Sequence, residues 1–359
     1  MSTENGRVKM NNWQQSSIAR QPAELGRIIV DPAEWYPSQM DGQDFWIWEM
    51  TEEELSETKE AIAVAEIKNR DLLDIEKNNF SLPTFANGLS KISKELTNGR
   101  GFVLLRGLDA DQLTRKQYAT AFWGIGRHIG DPLCQNAKGH MLGHVKDLNA
   151  DYRKVRGYMT NAHMAFHCDQ ADLIALGCVH NAKSGGHHMV CSSVSLYNKM
   201  LRREPDAVRI LGQLFYRSRQ GEIPPGETDP WVRQPVFGFK DGYFAARGVS
   251  AAIEKAQGLP GVPLLTPAER DALQLFKEMA PELAIEIPFE HGDILFMCNH
   301  VTLHSRTEFE DWPEQERKRY LIRLWLTTRG ARPVPEEISR WSNGVYTEET
   351  KFYAPLEAA

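Results

Sequence analysis

Apolar residues recur at helical spacing in the first third of the chain. Phe85, Leu89, Ile92 and Leu96 lie three or four positions apart, so one face of a helix would be apolar. An earlier charged segment opens with Thr51-Glu-Glu-Glu54, a capping-box pattern in which the first and fourth residues satisfy each other's backbone amides. We predict helices from residue 51 to about 70, from 84 to 98, and from 114 onward.

From about Tyr158 the pattern changes to short apolar runs that are separated by turn residues. Runs of this length between glycine, proline or serine are typical of strands. Helices first and many short strands afterwards indicate an α+β protein with a β-sandwich or barrel core. We predict strands at 101–106, 164–166, 173–179, 188–191, 236–239, 243–245, 283–287, 293–297 and 320–327, and further helices at 196–211 and 266–279.

The domain organisation follows the same pattern, because the chain shows no internal repeat and no low-complexity tract. Residues 1–43 are polar and irregular, and we predict an N-terminal arm there. Residues 44–359 are predicted to form a single domain that carries the functional site. Within this domain we expect a helical part at 44–100, the β core at about 101–328 and a C-terminal tail at 329–359.

Charge and composition narrow the class of protein. The chain has 42 Lys and Arg residues against 48 Asp and Glu residues, and the net charge of −6 disfavours a general nucleic-acid-binding surface. No apolar run reaches the ~18 residues of a membrane span, and the N-terminus lacks the apolar segment of a secretory signal. The five cysteines are odd in number and include no CxxC pair, so we predict reduced thiols and a cytoplasmic protein. We therefore predict no nucleic-acid or membrane partner, whereas a homo-oligomer stays open.

Candidate chemistry begins with His167-Cys168-Asp169, in which a histidine and an aspartate are two positions apart. In a strand, such residues point to the same face and can bind one metal ion. A second histidine, His304, follows later in the chain, and Asn299 shortly before it could orient a ligand or cap a turn. Two histidines and one carboxylate form the facial triad of non-haem iron(II) oxygenases, which leaves metal positions for a 2-oxo acid and dioxygen.

Two other classes of protein are compatible with these three residues. A zinc-type metallohydrolase would use the same ligands together with a bound water. A non-catalytic jelly-roll binding protein would keep the pocket without turnover. Metal preference and dependence on 2-oxoglutarate distinguish the three hypotheses.

A basic apolar segment, Arg317–Leu326, places Arg319 and Arg323 on one face of a strand because they are four residues apart. An arginine near such a triad can hold the distal carboxylate of 2-oxoglutarate with a two-pronged contact. A buried guanidinium needs an anionic partner, so Arg323 indicates a small anionic substrate. Pairing of Arg323 with a structural aspartate is the alternative.

Several segments carry a resemblance to a known family, and they are Phe166–Gln170, Ala182–Gly186, Gly292–Leu295, Leu303–Arg306 and Arg319–Leu326. In these segments the chain resembles the taurine dioxygenase / 2,4-D dioxygenase (TauD/TfdA) family of iron(II)- and 2-oxoglutarate-dependent oxygenases, and within it the clavaminate synthase-like members. The resemblance covers residues 80 to 328 and is strongest at the two regions that hold the candidate metal ligands.

The resemblance implies a double-stranded β-helix, a jelly-roll core, with N-terminal and inserted helices. It implies a dioxygenase that needs iron(II), 2-oxoglutarate and O2, acts on a C–H bond of a small carboxylate or amino-acid-like substrate, and releases succinate and CO2. Hydroxylation is the expected outcome, and desaturation or ring closure are the alternatives. The residues that match the family's iron ligands are His167, Asp169 and His304.

The resemblance also implies roles around the metal. Arg319 matches the arginine that pairs with the distal carboxylate of 2-oxoglutarate, and Arg323 matches a position that holds an anionic group of the substrate in several members. His188 stands where many relatives carry a Thr or Ser that hydrogen-bonds 2-oxoglutarate, and an imidazole could donate the same bond. His140 and His144 lie in a loop where relatives place substrate-facing lids, and we predict them as substrate-binding residues.

Overall fold

The computed structural model describes residues 11–149, 157–348 and 351–357. In these residues the α-helices are α1 Pro37–Met40, α2 Glu52–Ile67, α3 Ala86–Asn98, α4 Arg115–Ile129, α5 Ser193–Arg203, α6 Pro205–Leu211, α7 Ala251–Ala256, α8 Pro267–Glu282 and α9 Glu336–Ser339. Single turns of 3₁₀ helix occur at Leu72–Asp74, Gly157–Met159 and Gln315–Arg317.

The strands fall into a larger and a smaller sheet, together with two-stranded pairs. They are β1 Ile47–Glu49, β2 Phe102–Arg106, β3 Asp131–Pro132, β4 Gly143–Val145, β5 Met164–His167, β6 Leu173–His180, β7 Ser184–Gly185, β8 His188–Ser192, β9 Phe215–Ser218, β10 Trp231–Gln234, β11 Phe237–Lys240, β12 Tyr243–Ala246, β13 Ala284–Ile287, β14 Ile294–Cys298, β15 Thr302–Arg306, β16 Phe309–Glu310 and β17 Tyr320–Thr327.

The long helices begin where the sequence predicts. Thr51, Thr114 and Thr266 each accept a hydrogen bond from the amide three residues on, and the side chain of that residue accepts from the threonine amide. These capping boxes satisfy amides that have no partner within the helix, and they confirm the predicted starts of α2, α4 and α8. The prediction of one helix over 196–211 was wrong, because Pro205 has no amide hydrogen to continue the first helix and instead starts a second.

The larger sheet is ordered β1-β2-β14-β6-β17-β3, and β4 also pairs with β17. Its central strands are antiparallel, and β17 pairs with β6 from Tyr320 to Leu326. The smaller sheet is ordered β13-β8-β15-β5 and is antiparallel throughout. The segment β15, which the apolar pattern did not predict as a strand, therefore lies in the middle of the smaller sheet.

The two sheets face each other across a buried apolar cluster. Leu176, Met297 and Trp325 enter this cluster from the larger sheet, and Val190 and Ile285 enter it from the smaller sheet. Alternate residues of the same strands point outward, as the two-residue period of a strand requires. This arrangement of two facing sheets confirms the predicted α+β class with a jelly-roll core.

Helices cover the outer faces of both sheets. Leu105 and Ile322 on the outer face of the larger sheet share a buried cluster with Phe122 of α4. Leu303 on the outer face of the smaller sheet shares it with Phe276 of α8. The inner faces of the two sheets therefore line the space between them, where the candidate site lies.

The described part of the predicted N-terminal arm is packed against the rest of the chain. Ile29, Ala33 and Trp35 are buried, and Asp31 forms ion pairs with Arg20 and with Arg332 of the C-terminal segment. Residues 1–10 of the arm lie outside the described residues. The division into an arm and a single domain stays a prediction.

Two further observations bear on the class of protein. All five cysteines are buried and free of disulfides, which agrees with the predicted reduced thiols. In the part of the chain that the structure describes, no helix is both long and apolar enough to cross a bilayer.

Candidate active site

The three candidate metal ligands meet where β5, the edge strand of the smaller sheet, pairs with β15. His167 ends β5, Asp169 follows it, and His304 lies in β15 directly opposite His167 in the strand register. The two imidazole rings are 4.2 Å apart between centroids. One ligand atom from each of His167, Asp169 and His304 lies within 4.8 Å of the other two. Sheet pairing therefore brings together residues that are far apart in the sequence.

The carboxylate of Asp169 is held by two donors on β17. The Oδ2 atom accepts a hydrogen bond from Nη1 of Arg323 at 3.2 Å and another from Nε1 of Trp325 at 2.9 Å. Burial raises the pKa of Asp169, but Arg323, His304 and His167 lower it more, so the pKa lies well below its usual value. Asp169 is therefore an anion at neutral pH.

Each imidazole can offer a ring nitrogen to a metal ion. Nδ1 of His167 donates a hydrogen bond to the carbonyl oxygen of Ala165 at 2.8 Å, so Nε2 is the ring nitrogen that remains for a metal. Burial, with His167 nearby, lowers the pKa of His304 to about 3, although Asp169 opposes this shift. Two imidazoles and one carboxylate are the donor set that suits iron(II), so these residues fit the metal that the sequence predicted.

Asn299 fixes the loop that carries Asp169. Its Oδ1 accepts from the Asp169 amide at 3.1 Å, and its Nδ2 donates to the Ala171 carbonyl at 2.9 Å. Of the two roles that the sequence left open, the contacts support the orientation of a ligand. The buried side chain of Asn299 thus holds the backbone on both sides of Gln170.

Arg323 has a second hydrogen-bond partner within the protein. Besides Asp169, it donates from Nε to Oε1 of Gln135 at 2.9 Å, and Gln135 in turn donates to the Arg323 carbonyl. The guanidinium also lies against the rings of Tyr158 and Trp325. The contact with Asp169 matches the alternative that the sequence left open, namely an aspartate partner.

Arg319 and His188 form a second buried pair on the same inner side. Nη2 of Arg319 donates to Nε2 of His188 at 2.9 Å, because an arginine can only donate. Burial lowers the pKa of Arg319 to about 9, with Arg306 adding to the shift, so the guanidinium stays charged at neutral pH. Its Nη1 atom is buried and has no hydrogen-bond partner among the described residues. Arg319 can therefore take an anion without losing an existing bond.

The pair also defines the state of His188. Burial lowers the pKa of His188 well below its usual value, and the charge of Arg319 adds to this effect. Since Nε2 accepts from Arg319, the proton of the neutral ring is on Nδ1. His188 thus holds Arg319 in place through Nε2, and only Nδ1 is left to donate a hydrogen bond to a ligand.

The family model described as "Taurine catabolism dioxygenase TauD, TfdA family" matches residues 67–325. The chain belongs to the TauD/TfdA family. The predicted family, with its enzyme class, is thereby confirmed. This TauD/TfdA member is a dioxygenase that uses iron(II), 2-oxoglutarate and O2, and the zinc-hydrolase and non-catalytic alternatives are not favoured.

Individual relatives of this TauD/TfdA protein were found in sequence and in structure. FR-33289 synthase of Streptomyces rubellomurinus is 27% identical over 327 residues, which cover 88% of this chain and 96% of the relative. Asparagine oxygenase in complex with Fe(II), 3-hydroxyasparagine and succinate superposes with a TM-score of 0.60 at 16% identity, covering 78% and 93% of the two chains. The non-haem iron oxygenase OrfP with Fe, succinate and (3S)-hydroxy-L-Arg gives a TM-score of 0.61 at 14% identity, covering 84% and 99%. The likenesses to the two solved structures concern the fold.

The structure does not bring His140 and His144 to the other candidate residues. His144 pairs with Ile322 in the strand register and thus lies on the outer face of β17, opposite to Arg323. Its two ring nitrogens are 2.6 Å from the Tyr320 hydroxyl and 2.9 Å from the Pro355 carbonyl. A substrate-binding role for His140 and His144 stays a prediction that none of their contacts supports.

Two residues that contact the candidate site were not predicted from the sequence. Trp325 is one of them, although a buried indole on the face of Arg323 needs an acceptor for its N–H. That requirement is a signal that could have identified it. Gln135 has no such signal, since its role depends on a loop that meets β17 only in the folded chain.

Proposed function

We propose that His167, Asp169 and His304 hold the iron(II) of this oxygenase, and that the enzyme hydroxylates an unactivated C–H bond of a small anionic, amino-acid-like molecule. In the same reaction 2-oxoglutarate is converted into succinate and CO2. The observation that carries this proposal is the close approach of the three ligand atoms, all within 4.8 Å of one another.

The residues around the metal have separate tasks in this proposal. Iron(II), when bound with 2-oxoglutarate and O2, supplies the oxidising power for breaking the C–H bond. Asp169 contributes a negative charge, and Arg323 and Trp325 hold its carboxylate in one orientation. The low pKa of His304 keeps its imidazole deprotonated and able to ligate at neutral pH.

Arg319 binds the distal carboxylate of 2-oxoglutarate in this proposal. Its buried Nη1 has no partner among the described residues, and an unpaired buried cation is costly unless an anion completes the site. His188 keeps the guanidinium in place through the bond to Nη2. The carboxylate would thus meet a donor that is already oriented and shielded from water.

The substrate class follows from charge and from the relatives. Nη2 of Arg323 makes no hydrogen bond with any described residue. Arg323 can therefore hold an anionic group of the substrate through Nη2 while Nη1 donates to Asp169. The solved asparagine oxygenase and OrfP hold hydroxylated amino acids together with succinate. We extend that class to this chain, with hydroxylation ahead of desaturation or ring closure. We also propose a cytoplasmic location, which the five free cysteines support.

The test is anaerobic addition of iron(II) and then 2-oxoglutarate, followed by the visible metal-to-ligand charge-transfer band. We expect the band in the wild type, its loss in Asp169→Ala, and a much higher 2-oxoglutarate requirement in Arg319→Ala. Arg317→Ala is the matched control, because Arg317 precedes the same strand and is exposed. Absence of the band in the wild type, or an equal band in Asp169→Ala, would contradict the proposed ligand set.

A further inference from the structure

A cavity of about 520 Å³ adjoins the candidate site at two places in its wall. Gln170, which lines the cavity, directly follows Asp169 in the chain. Residues 133–134 line it as well, and they directly precede Gln135. Asp169 and Gln135 are the two side chains that accept hydrogen bonds from Arg323. The volume lies within the range of about 300–1,000 Å³ that is usual for small-molecule sites.

The segment after α9 forms another part of the wall. The Gly344 amide donates to the Gln170 carbonyl at 2.8 Å, and Asn343 forms an antiparallel β-bridge with Ala171. This backbone pairing places Trp341 and Gln170 in the wall of the same cavity. Apolar side chains complete much of the lining, among them Leu133, Met141, Val345, Tyr346 and Phe352.

Two side chains of this wall carry buried polar atoms without a partner. Gln170 is 9% exposed, and its Oε1 has no hydrogen-bond partner among the described residues. Nε1 of Trp341 is buried and unpaired in the same part of the chain. Leaving such groups unpaired is costly, and native proteins keep few of them. A water molecule occupies only about 30 Å³, so the cavity has room for a much larger molecule that satisfies both.

The charged side chains of the lining already have partners. Arg219 forms an ion pair with Glu227, and Arg340 forms one with Glu336. Glu222, the carboxylate of the lining, is not without a partner either. The groups that remain to be satisfied are therefore the uncharged amide of Gln170 and the uncharged indole of Trp341.

These two groups need a molecule that both donates and accepts hydrogen bonds. Oε1 of Gln170 needs a donor, whereas Nε1 of Trp341 needs an acceptor, and Nε2 of Gln170 can donate as well. A carboxylate only accepts and an ammonium only donates, so each leaves one group unpaired. An amide offers an N–H group together with a carbonyl oxygen that has two lone pairs, and it can satisfy all three groups.

We propose that this cavity binds an uncharged amide group of the substrate. Oε1 of Gln170 accepts from the amide N–H, while Nε2 of Gln170 and Nε1 of Trp341 donate to the amide oxygen. The apolar side chains of the lining contact the hydrocarbon part next to the amide. The substrate thus carries an anionic group for Arg323 and an amide for Gln170 and Trp341. This inference rests on the proposed function, because it names a further part of the substrate of the same site.

The test uses the full chain loaded anaerobically with iron(II) and saturating 2-oxoglutarate. Three uncharged probes that share one aromatic ring are titrated by calorimetry, namely benzamide, methyl benzoate and benzyl alcohol. Methyl benzoate keeps the carbonyl oxygen but lacks the N–H group, and benzyl alcohol has a single hydroxyl. We expect the wild type to bind benzamide about tenfold or more tightly than either of the other probes, because only the amide leaves no polar group of the cavity unpaired.

Two variants assign the preference to the cavity. Gln170→Met should weaken benzamide binding about tenfold and leave methyl benzoate binding unchanged, so that the preference disappears. Trp341→Phe keeps an aromatic ring but removes the N–H donor, and it should weaken the binding of benzamide and of methyl benzoate about fivefold each. Gln213→Met, at an exposed position after α6, should bind like the wild type.

Each outcome bears on the proposal. No benzamide binding by the wild type, equal binding of benzamide and methyl benzoate, tighter binding of benzyl alcohol, or an unchanged preference in Gln170→Met would overturn it. If Gln170→Met does not fold, as judged by its thermal transition, Trp341→Phe decides, and unchanged benzamide binding in that variant overturns the proposal. The charge-transfer band recorded in the same samples separates the two hypotheses. A band without amide preference refutes only the amide site, whereas amide preference without the band refutes only the proposed metal and cosubstrate site.

Discussion

Arg323 and Trp325, two positions apart on β17, donate to the same carboxylate oxygen of Asp169, at 3.2 Å and 2.9 Å. Arg323 is therefore a support for a candidate metal ligand as well as a candidate for substrate binding. The two roles predict different consequences when the residue is replaced. The first prediction separates them.

Arg323→Met should weaken iron(II) binding about 10- to 100-fold, because Asp169 loses the guanidinium that orients it and lowers its pKa. The pKa of Asp169 would rise, so the loss should be largest at acidic pH and smaller as the pH increases. Anaerobic iron titrations between pH 5.5 and 8 measure this effect. Trp325→Phe is the comparison variant. It should weaken iron(II) binding less than Arg323→Met does, because it removes only a neutral donor. Unchanged iron binding with a selective loss of substrate affinity would assign Arg323 to the substrate alone.

The second prediction concerns His188, which accepts a hydrogen bond from Arg319. His188→Leu leaves Nη2 of Arg319 without its acceptor, and we expect the KM for 2-oxoglutarate to increase about tenfold. The KM for the primary substrate should change little. His188→Thr restores an oxygen acceptor and should recover part of the loss. The exposed neighbour His187, replaced by Leu, serves as the control. Equal increases in both KM values would argue against a specific role in the cosubstrate site.

Much of the fold was predictable because the outer faces of the sheets and the helices are apolar in a regular pattern. The helix over residues 84–98 and the strand at 320–327 follow directly from periodicity and turn residues. The strand β15 was not predicted, since four of its five residues are polar although all five are buried. Their burial depends on pairing with β5 and β8, which no local pattern reveals.

The candidate site was predictable to a similar extent. The spacing of His167 and Asp169, together with the family resemblance, identified the three candidate ligands and Arg319. Asn299 was a candidate for orienting a ligand, and the indole N–H of Trp325 was a usable signal, whereas Gln135 was not predictable because it reaches Arg323 from a distant segment.

A third prediction concerns Asn299. Asn299→Ala removes the acceptor of the Asp169 amide and the donor to the Ala171 carbonyl. We expect iron(II) affinity to fall about tenfold or more, because the loop that carries Asp169 loses the two hydrogen bonds that hold it in place. The free energy of unfolding should fall by about 1–3 kcal/mol. The side chain of Asn79 makes the same two kinds of hydrogen bond, to the Glu76 amide and the Asp74 carbonyl, in an exposed turn. Asn79→Ala is therefore a matched control that should leave iron binding unchanged. Equal iron affinity in the two variants would remove Asn299 from the site.

The fourth prediction concerns the ion pair between the N-terminal segment and the C-terminal segment. Asp31 is almost fully buried, and its Oδ2 lies 2.6 Å from Nε of Arg20 and 3.3 Å from Nη2 of Arg332. Burial alone would raise the pKa of Asp31, but the two arginines and the Ala33 amide bring it below the usual value of 3.8. Asp31→Asn leaves Arg332 buried without its anionic partner, and we expect a loss of about 3–5 kcal/mol in the free energy of unfolding at pH 7.

The pH dependence of this loss follows from the lowered pKa of Asp31. A carboxyl group with a lowered folded-state pKa stabilises the protein above its unfolded pKa, and this stabilisation disappears as the pH falls through the folded-state value. The difference between wild type and Asp31→Asn in urea unfolding should therefore be full at pH 7 and shrink below pH 3.8. Asp41→Asn, at an exposed position of the same segment, should match the wild type throughout. If Asp31→Asn also matched it at pH 7, the N-terminal segment would not be held by this ion pair.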